Sequence, residues 1–312
     1  MGTTIEATAT AAARSRRGPL AKGALKLADE AARSCLARAG RQAREIGVLL
    51  NAGIYRERSI EEPALAALIQ EDIGANPGHP PTEGHGTFSF DVANGAAGVL
   101  SGLYLLDGFL RSGMIRLGMV VASDSDPSPG ISQGFAFPSI GGAALVGQDE
   151  RQPGFTAFHF ESFPQFEHAF ESRVSWSEHV GRWHRPRRAG RNVLTIEARD
   201  DYLVRSVDCS HQAIGRFLAE SGLPIRKVDL LIATHDSPAF GDQLAERLGI
   251  GEDRVVHPPA SMAGAHTAAP LVVLDAAMRD GALSDSRTVL FAACGAGITV
   301  ATALYRAGDR DV

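Results

Sequence analysis

Apolar residues recur along the chain at two spacings. Leu20, Ala24, Leu27, Ala31 and Leu36 fall close to every 3.6 residues, so Pro19–Ala39 is predicted as a helix with one apolar stripe. Gly40 ends it, and the apolar run Ile46–Ala52 reads as a strand covered on both faces. Glu62–Ile73 is the next helix, and Gly74–Gly86 is a loop rich in breakers. Thr87–Val92 then reads as a short strand that bends at Asn94, Gly95 and Gly98 into an amphipathic helix reaching Gly113. Strands are predicted at Leu117–Ser123 and Ala143–Gly147, with a weakly alternating one at Thr3–Ala13. After Asp200 the pattern restarts. Tyr202–Ser221, Phe240–Leu248 and Ala268–Arg279 are helices; Val228–Thr234, Thr288–Ala292 and Ile298–Tyr305 are strands.

The second pass repeats the first. Leu36–Gly53 matches Leu218–His235 without a gap at an offset of 182, and Leu105–Gly113 matches Val273–Gly281 at an offset of 168. Asp107 meets Asp275 and Arg111 meets Arg279. A duplicated α/β unit is the natural reading. The expected organisation is an N-terminal half over 1–149, an insertion or cap over 150–199 and a C-terminal half over 200–312. In such a fold equivalent loops converge, which brings Ala96, Thr234-His235-Asp236, Ala263–Thr267 and Cys294–Gly297 to one mouth.

Composition narrows the function. A net charge of −5, with no basic cluster interleaved with aromatics, argues against nucleic-acid binding. The arginines of Arg182–Arg191 suit a solvated loop or a patch for a phosphorylated carrier. Three cysteines without CxxC spacing give no disulfide framework and no zinc site, which fits a reducing cytoplasm. The first eighteen residues lack the apolar core of a secretory signal, and no run approaches the roughly 20 apolar residues of a membrane span.

These motifs resemble the thiolase superfamily, nearest its β-ketoacyl-ACP synthase III branch. Asp91–Gly98 is similar to the family's D-x-x-x-x-C-x-G helix start, Leu230–His235 to its strand ending in His, Gly264–Pro270 to its G-N-T-S-A-A-S loop and Ala293–Thr299 to its G-F-G-A-G-x-T turn. The resemblance implies a five-layered αβαβα sandwich and a homodimer, or a heterodimer with a synthase III-like subunit. It implies condensation or acyl transfer on thioesters of acyl carrier protein or CoA, with no cofactor and no metal. The nucleophilic Cys position falls on Ala96 and the Asn position on Ala265, so no acyl-enzyme is expected at the usual place.

The remaining candidates follow from this. His235 is expected to donate to a thioester or enolate oxygen, or else to be a hydrogen-bonded loop histidine, and His266 to do the same work one residue from the Asn position. Asp236 reads as solvated, because adjacent side chains usually point apart. Cys294 is a candidate relocated nucleophile, or a small apolar filler. Backbone N–H groups at Ala96 and Gly295 suit an oxyanion hole, and Asn94, Ala265 and Thr267 fall at the substrate. The expected activity is that of an atypical synthase III-like acyltransferase; the alternative is an inactive subunit paired with an active one.

Overall fold

The computed structural model describes residues 2–13, 22–59, 61–75, 86–149, 153–177 and 191–307. All of the Arg182–Arg191 cluster but Arg191, and most of the Gly74–Gly86 loop, lie outside them. In chain order the elements are β1 (Gly2–Ala12), α1 (Ala24–Ala39), β2 (Val48–Asn51), α2 (Leu65–Ile73), β3 (Phe88–Asp91), α3 (Gly98–Arg111), β4 (Leu117–Asp124) and β5 (Ile140–Asp149). There follow β6 (Gly154–Ser162), β7 (Phe170–Ser177), β8 (Arg191–Ala198), α4 (Tyr202–Glu220), β9 (Leu230–Thr234), α5 (Phe240–Leu248), α6 (Ala269–Arg279), α7 (Ala282–Asp285), β10 (Thr288–Gly295) and β11 (Thr299–Arg306).

Nine strands run in the order β3-β2-β4-β5-β1-β6-β11-β10-β9. The order is a mirror repeat. β1 and β6 meet at a single bridge, Thr3 to Phe155, and on either side the sequence of strands is the same. The counterpart of β3 in the second half is reduced to an isolated parallel bridge between Leu231 and Val255. The duplication read from the chain is thus visible as topology. One expectation needs correcting: Gly154–Ser162 is no part of a cap but a full strand of the main sheet, paired along its length with β11. Among the described residues, only β7 and β8 stand apart from the main sheet, as a two-stranded antiparallel ribbon.

Three apolar cores account for five layers. One packs α1 and α2 on the outer face of the first half through Ala28, Ala32, Leu49 and Ile69. A second packs α4 and α5 on the outer face of the other half through Ile214, Phe217, Leu231 and Leu244. Between the two halves of the main sheet α3 and α6 share the third, with Leu103, Leu106, Leu271 and Leu274. Strands such as β4 and β10 are buried along their whole length because helices cover both faces, which is why they read as unbroken apolar runs. α3 lies unusually close to its sheet: a Cβ on Gly102 would meet Val120 Cγ2 at 2.9 Å. No described helix is long and apolar enough to cross a membrane.

Candidate active site

The candidate residues lie on the loops that lead into α3 and α6 and on the turns after β9 and β10. Ala96 lies in the turn just before α3 and is 1% exposed. Gly95 takes φ +51°, which lets the chain swing from β3 into the helix. The glycine turn between β10 and β11 comes down on this spot from the second half: a Cβ on Gly295 would stand 3.2 Å from the Ala96 amide nitrogen. Asn94 Nδ2 donates to Ser101 Oγ at 2.9 Å, so its amide is spent within its own helix start.

His235 follows β9 directly. Its ring packs between Tyr202 and Phe240, with centroids 4.7 and 5.0 Å away. Nε2 lies 3.1 Å from Ser206 Oγ. Nδ1 receives the Ser237 N–H at 3.0 Å and lies 2.5 Å from Asp236 Oδ1. Asp236 is therefore not the solvated residue expected from the sequence. Burial pushes its carboxyl up, but the hydrogen bond and charge of His235 outweigh this and hold it below the usual carboxylate range. Ser206, His235 and Asp236 are spaced like a serine triad, but the Nδ1 that a triad needs as a donor to the carboxylate here accepts the Ser237 N–H. They lack its access: Ser206 is 0% exposed and the His235 side chain only 1%.

His266 precedes α6 and sits in an aromatic box. It stacks on Phe137 at 4.6 Å and faces Tyr55 and Phe170 at 5.3 and 6.0 Å. Burial lowers its pKa below the usual imidazole value, against the opposing pull of Asp124 and Asp236, so the ring is neutral at pH 7. Its Nδ1 is buried without a hydrogen-bond partner, 3.9 Å from Asp124 Oδ2. Asp124, at the end of β4, is a residue the sequence did not single out. It accepts from the Thr267 N–H at 2.7 Å, the Thr267 hydroxyl at 2.6 Å and the Tyr55 N–H at 3.1 Å. Thr267, expected at the substrate, is instead fully buried and committed to this carboxylate.

Cys294 is also corrected. Its side chain faces the outer core, fully buried, and its thiol donates to the Ser206 carbonyl at 3.8 Å. Burial pushes its pKa to about 12, which leaves almost no thiolate at neutral pH. In this position it packs as a small apolar side chain of the outer core. Beside His235 a shallow cleft opens between the end of β9 and the start of α6, bordered by Thr234, His235, Ser237, Met262, Ala265 and Val272; His266 does not line it. Among the described residues no cluster of three His, Cys, Asp or Glu could hold a metal ion.

Comparison with known proteins agrees with this architecture. A family model described as 3-oxoacyl-[acyl-carrier-protein] synthase III, C terminal, matches residues 218–307. A β-ketoacyl-[acyl-carrier-protein] synthase III from Alkalilimnicola ehrlichii is 25% identical over 288 residues, covering 90% of this chain and 83% of its own. One from Pectobacterium atrosepticum is 26% identical over 281 residues, covering 88% and 82%. The crystal structure of the Aquifex aeolicus 3-oxoacyl-[acyl-carrier-protein] synthase III superposes with a TM-score of 0.78 at 18% identity, over 98% of this chain and all of that one. The chain has the thiolase-superfamily fold in its synthase III form.

Proposed function

We propose that the protein is a synthase III-like acyltransferase that takes acyl thioesters of CoA or acyl carrier protein and moves the acyl group without an enzyme-bound intermediate. The carrying observation is Ala96: a methyl group at the α3 N-terminus, where the resemblance puts the nucleophile, with loops of both halves still built around it. In this reading the thioester carbonyl oxygen meets backbone N–H groups at Ala96 and Gly295, where the helix terminus favours developing negative charge. The acceptor, an alcohol, amine or carbanion, attacks directly. A protic acceptor gives its proton to His266; the tetrahedral intermediate then expels the thiolate, which takes that proton back. His235, tied at both nitrogens, fixes the wall of the mouth. Asn94 and Ala265 flank the substrate; the Asn94 amide is held by Ser101, and Ala265 lines the cleft beside His235.

The exposed face of β3 and α3 supports a two-subunit assembly. Phe88 on the edge strand is 58% exposed and Tyr104 is 52% exposed. Whether the second subunit is another copy or an active relative defines the alternative reading, a non-catalytic partner; the occupied nitrogens of His235 and the missing nucleophile favour it. One experiment separates the two. The purified protein is supplied with acyl- and malonyl-thioesters, alone and mixed with an active synthase III-like protein, and free thiol is followed. Turnover alone that falls at least tenfold in His266→Gln supports the enzyme. Turnover only in the mixture, insensitive to that change, supports the partner.

A further inference from the structure

The two histidines of the mouth differ in what they have left to offer. Each nitrogen of His235 is matched by protein: Ser206 Oγ at Nε2, the Ser237 amide and the Asp236 carboxylate at Nδ1. His266 is held by rings. Phe137, Tyr55 and Phe170 enclose it, and no hydrogen bond fixes Nδ1.

A neutral imidazole carries one proton, and the surroundings decide where. The charged groups near the ring are Asp124, at the end of β4, and the Asp236–His235 pair beyond β9. Asp124 Oδ2 lies 3.9 Å from Nδ1, and that carboxylate is itself fixed by Thr267 and Tyr55. A lone pair on Nδ1 would face a carboxylate across a site shut from water, which is repulsive. A proton on Nδ1 turns the same approach into an attraction, and a shift of about 1 Å makes it a hydrogen bond. The other nitrogen then keeps its lone pair.

We propose that His266 and Asp124 form the acid–base pair of the site, with Asp124 the positioning residue that holds the proton on Nδ1 and leaves Nε2 free to take one from the acceptor. The inference rests on the transferase reading for the role of that base. The pairing itself is readable without turnover. Asp124 also explains how the pair is set: it comes from the first half of the chain and His266 from the second, so the base is assembled when the halves close on each other.

The test is nitrogen-15 NMR of the full-length protein labelled at histidine, with the His266 signals assigned by His266→Gln. The expected result is a neutral His266 at pH 7 with its proton on Nδ1. In Asp124→Asn the proton moves toward Nε2 and the titration midpoint falls by at least one pH unit. The acid limb of any thiol-release profile moves down with it, which a merely structural role for Asp124 does not require. A wild-type ring protonated on Nε2 overturns the pairing, and so does an Asp124→Asn protein whose tautomer and midpoint are unchanged. If that variant fails to fold, the wild-type tautomer alone decides. Absence of thiol release with an Nδ1-protonated ring counts against the transferase reading and leaves the pairing standing.

Discussion

Gly295 stands against Ala96 so closely that a Cβ on it would lie 3.2 Å from the Ala96 amide nitrogen and 3.5 Å from its Cβ. The contact joins the two halves of the chain at the position where the resemblance puts the nucleophile. Adding a methyl to this packed spot costs about 1–3 kcal/mol. Gly295→Ala is therefore expected to lower the melting temperature by several degrees and to reduce thiol release more than a surface Gly→Ala change does. Thermal melts and steady-state rates on the same preparations check it.

Placing a thiol at residue 96 is the complementary experiment. Ala96→Cys places a sulfur at a helix N-terminus, where thiolate is favoured. With an acyl-CoA this variant is expected to gain one acyl group by intact mass, located on residue 96 by peptide mapping. An Ala96→Cys protein that folds and never acylates would show that the surrounding loops no longer bind a thioester.

Cys294 tests the opposite expectation. Its thiol is fully buried with a pKa pushed to about 12, so iodoacetamide at pH 7.5 should leave it unmodified in the native protein and label it after unfolding. Cys294→Ala should retain thiol release within about twofold. Native labelling of this residue would reinstate it as a candidate.

How much of this was legible in the sequence depends on the range of each interaction. The alternation of helices and strands and the duplication were readable because they rest on local apolar periodicity and repeated spacing. β6 was missed because its aromatic residues are followed at once by turn residues, and its partner β11 lies at the far end of the chain. Asp236 was misread because adjacent side chains diverge along a strand. β9 stops at Thr234, and in the turn beyond it the two side chains converge to 2.5 Å. Asp124 gave a local signal only, an acidic residue closing an apolar strand. Its partner Thr267 is 143 residues away, and no local pattern reports that.

Asp275 and Asp107, the matched acids of the two middle helices, differ in a way that can be measured. Asp275 is 2% exposed and accepts from Thr8 at 2.9 Å, Thr10 at 3.1 Å and Arg38 at 2.6 Å. Asp107 pairs within its own helix with Arg111 at 2.8 Å, and that arginine is half exposed. Asp275→Ala removes the acceptor of two hydroxyls and of the half-exposed Arg38, which keeps the Thr8 carbonyl, at a cost on the order of 2 kcal/mol. Asp107→Ala should cost about 1 kcal/mol or less. Urea unfolding of both variants provides the comparison.

The acid side of the stability profile should be set partly by Asp29 on the buried face of α1. Burial, together with a hydrogen bond and the charge of Asp72, raises its pKa from 3.8 to about 7. The folded chain thus binds this proton more tightly than the unfolded chain does. The resulting stability is fully present below about pH 4 and is lost as pH rises toward 7. Asp29→Asn is expected to melt higher than the wild type at pH 8 by a few degrees, with the gap closing by pH 4.5. A gap that does not depend on pH would contradict this assignment.

The most direct measurement for the account as a whole is intact-protein mass followed alongside thiol release. The wild-type protein is incubated with an acyl-CoA or acyl carrier protein thioester and a set of alcohol and amine acceptors. Release of free thiol over many turnovers, with the protein mass unchanged at every time point, is the predicted result. A protein that accumulates an acyl adduct on any residue during turnover, or that releases no thiol with any acceptor, would contradict it.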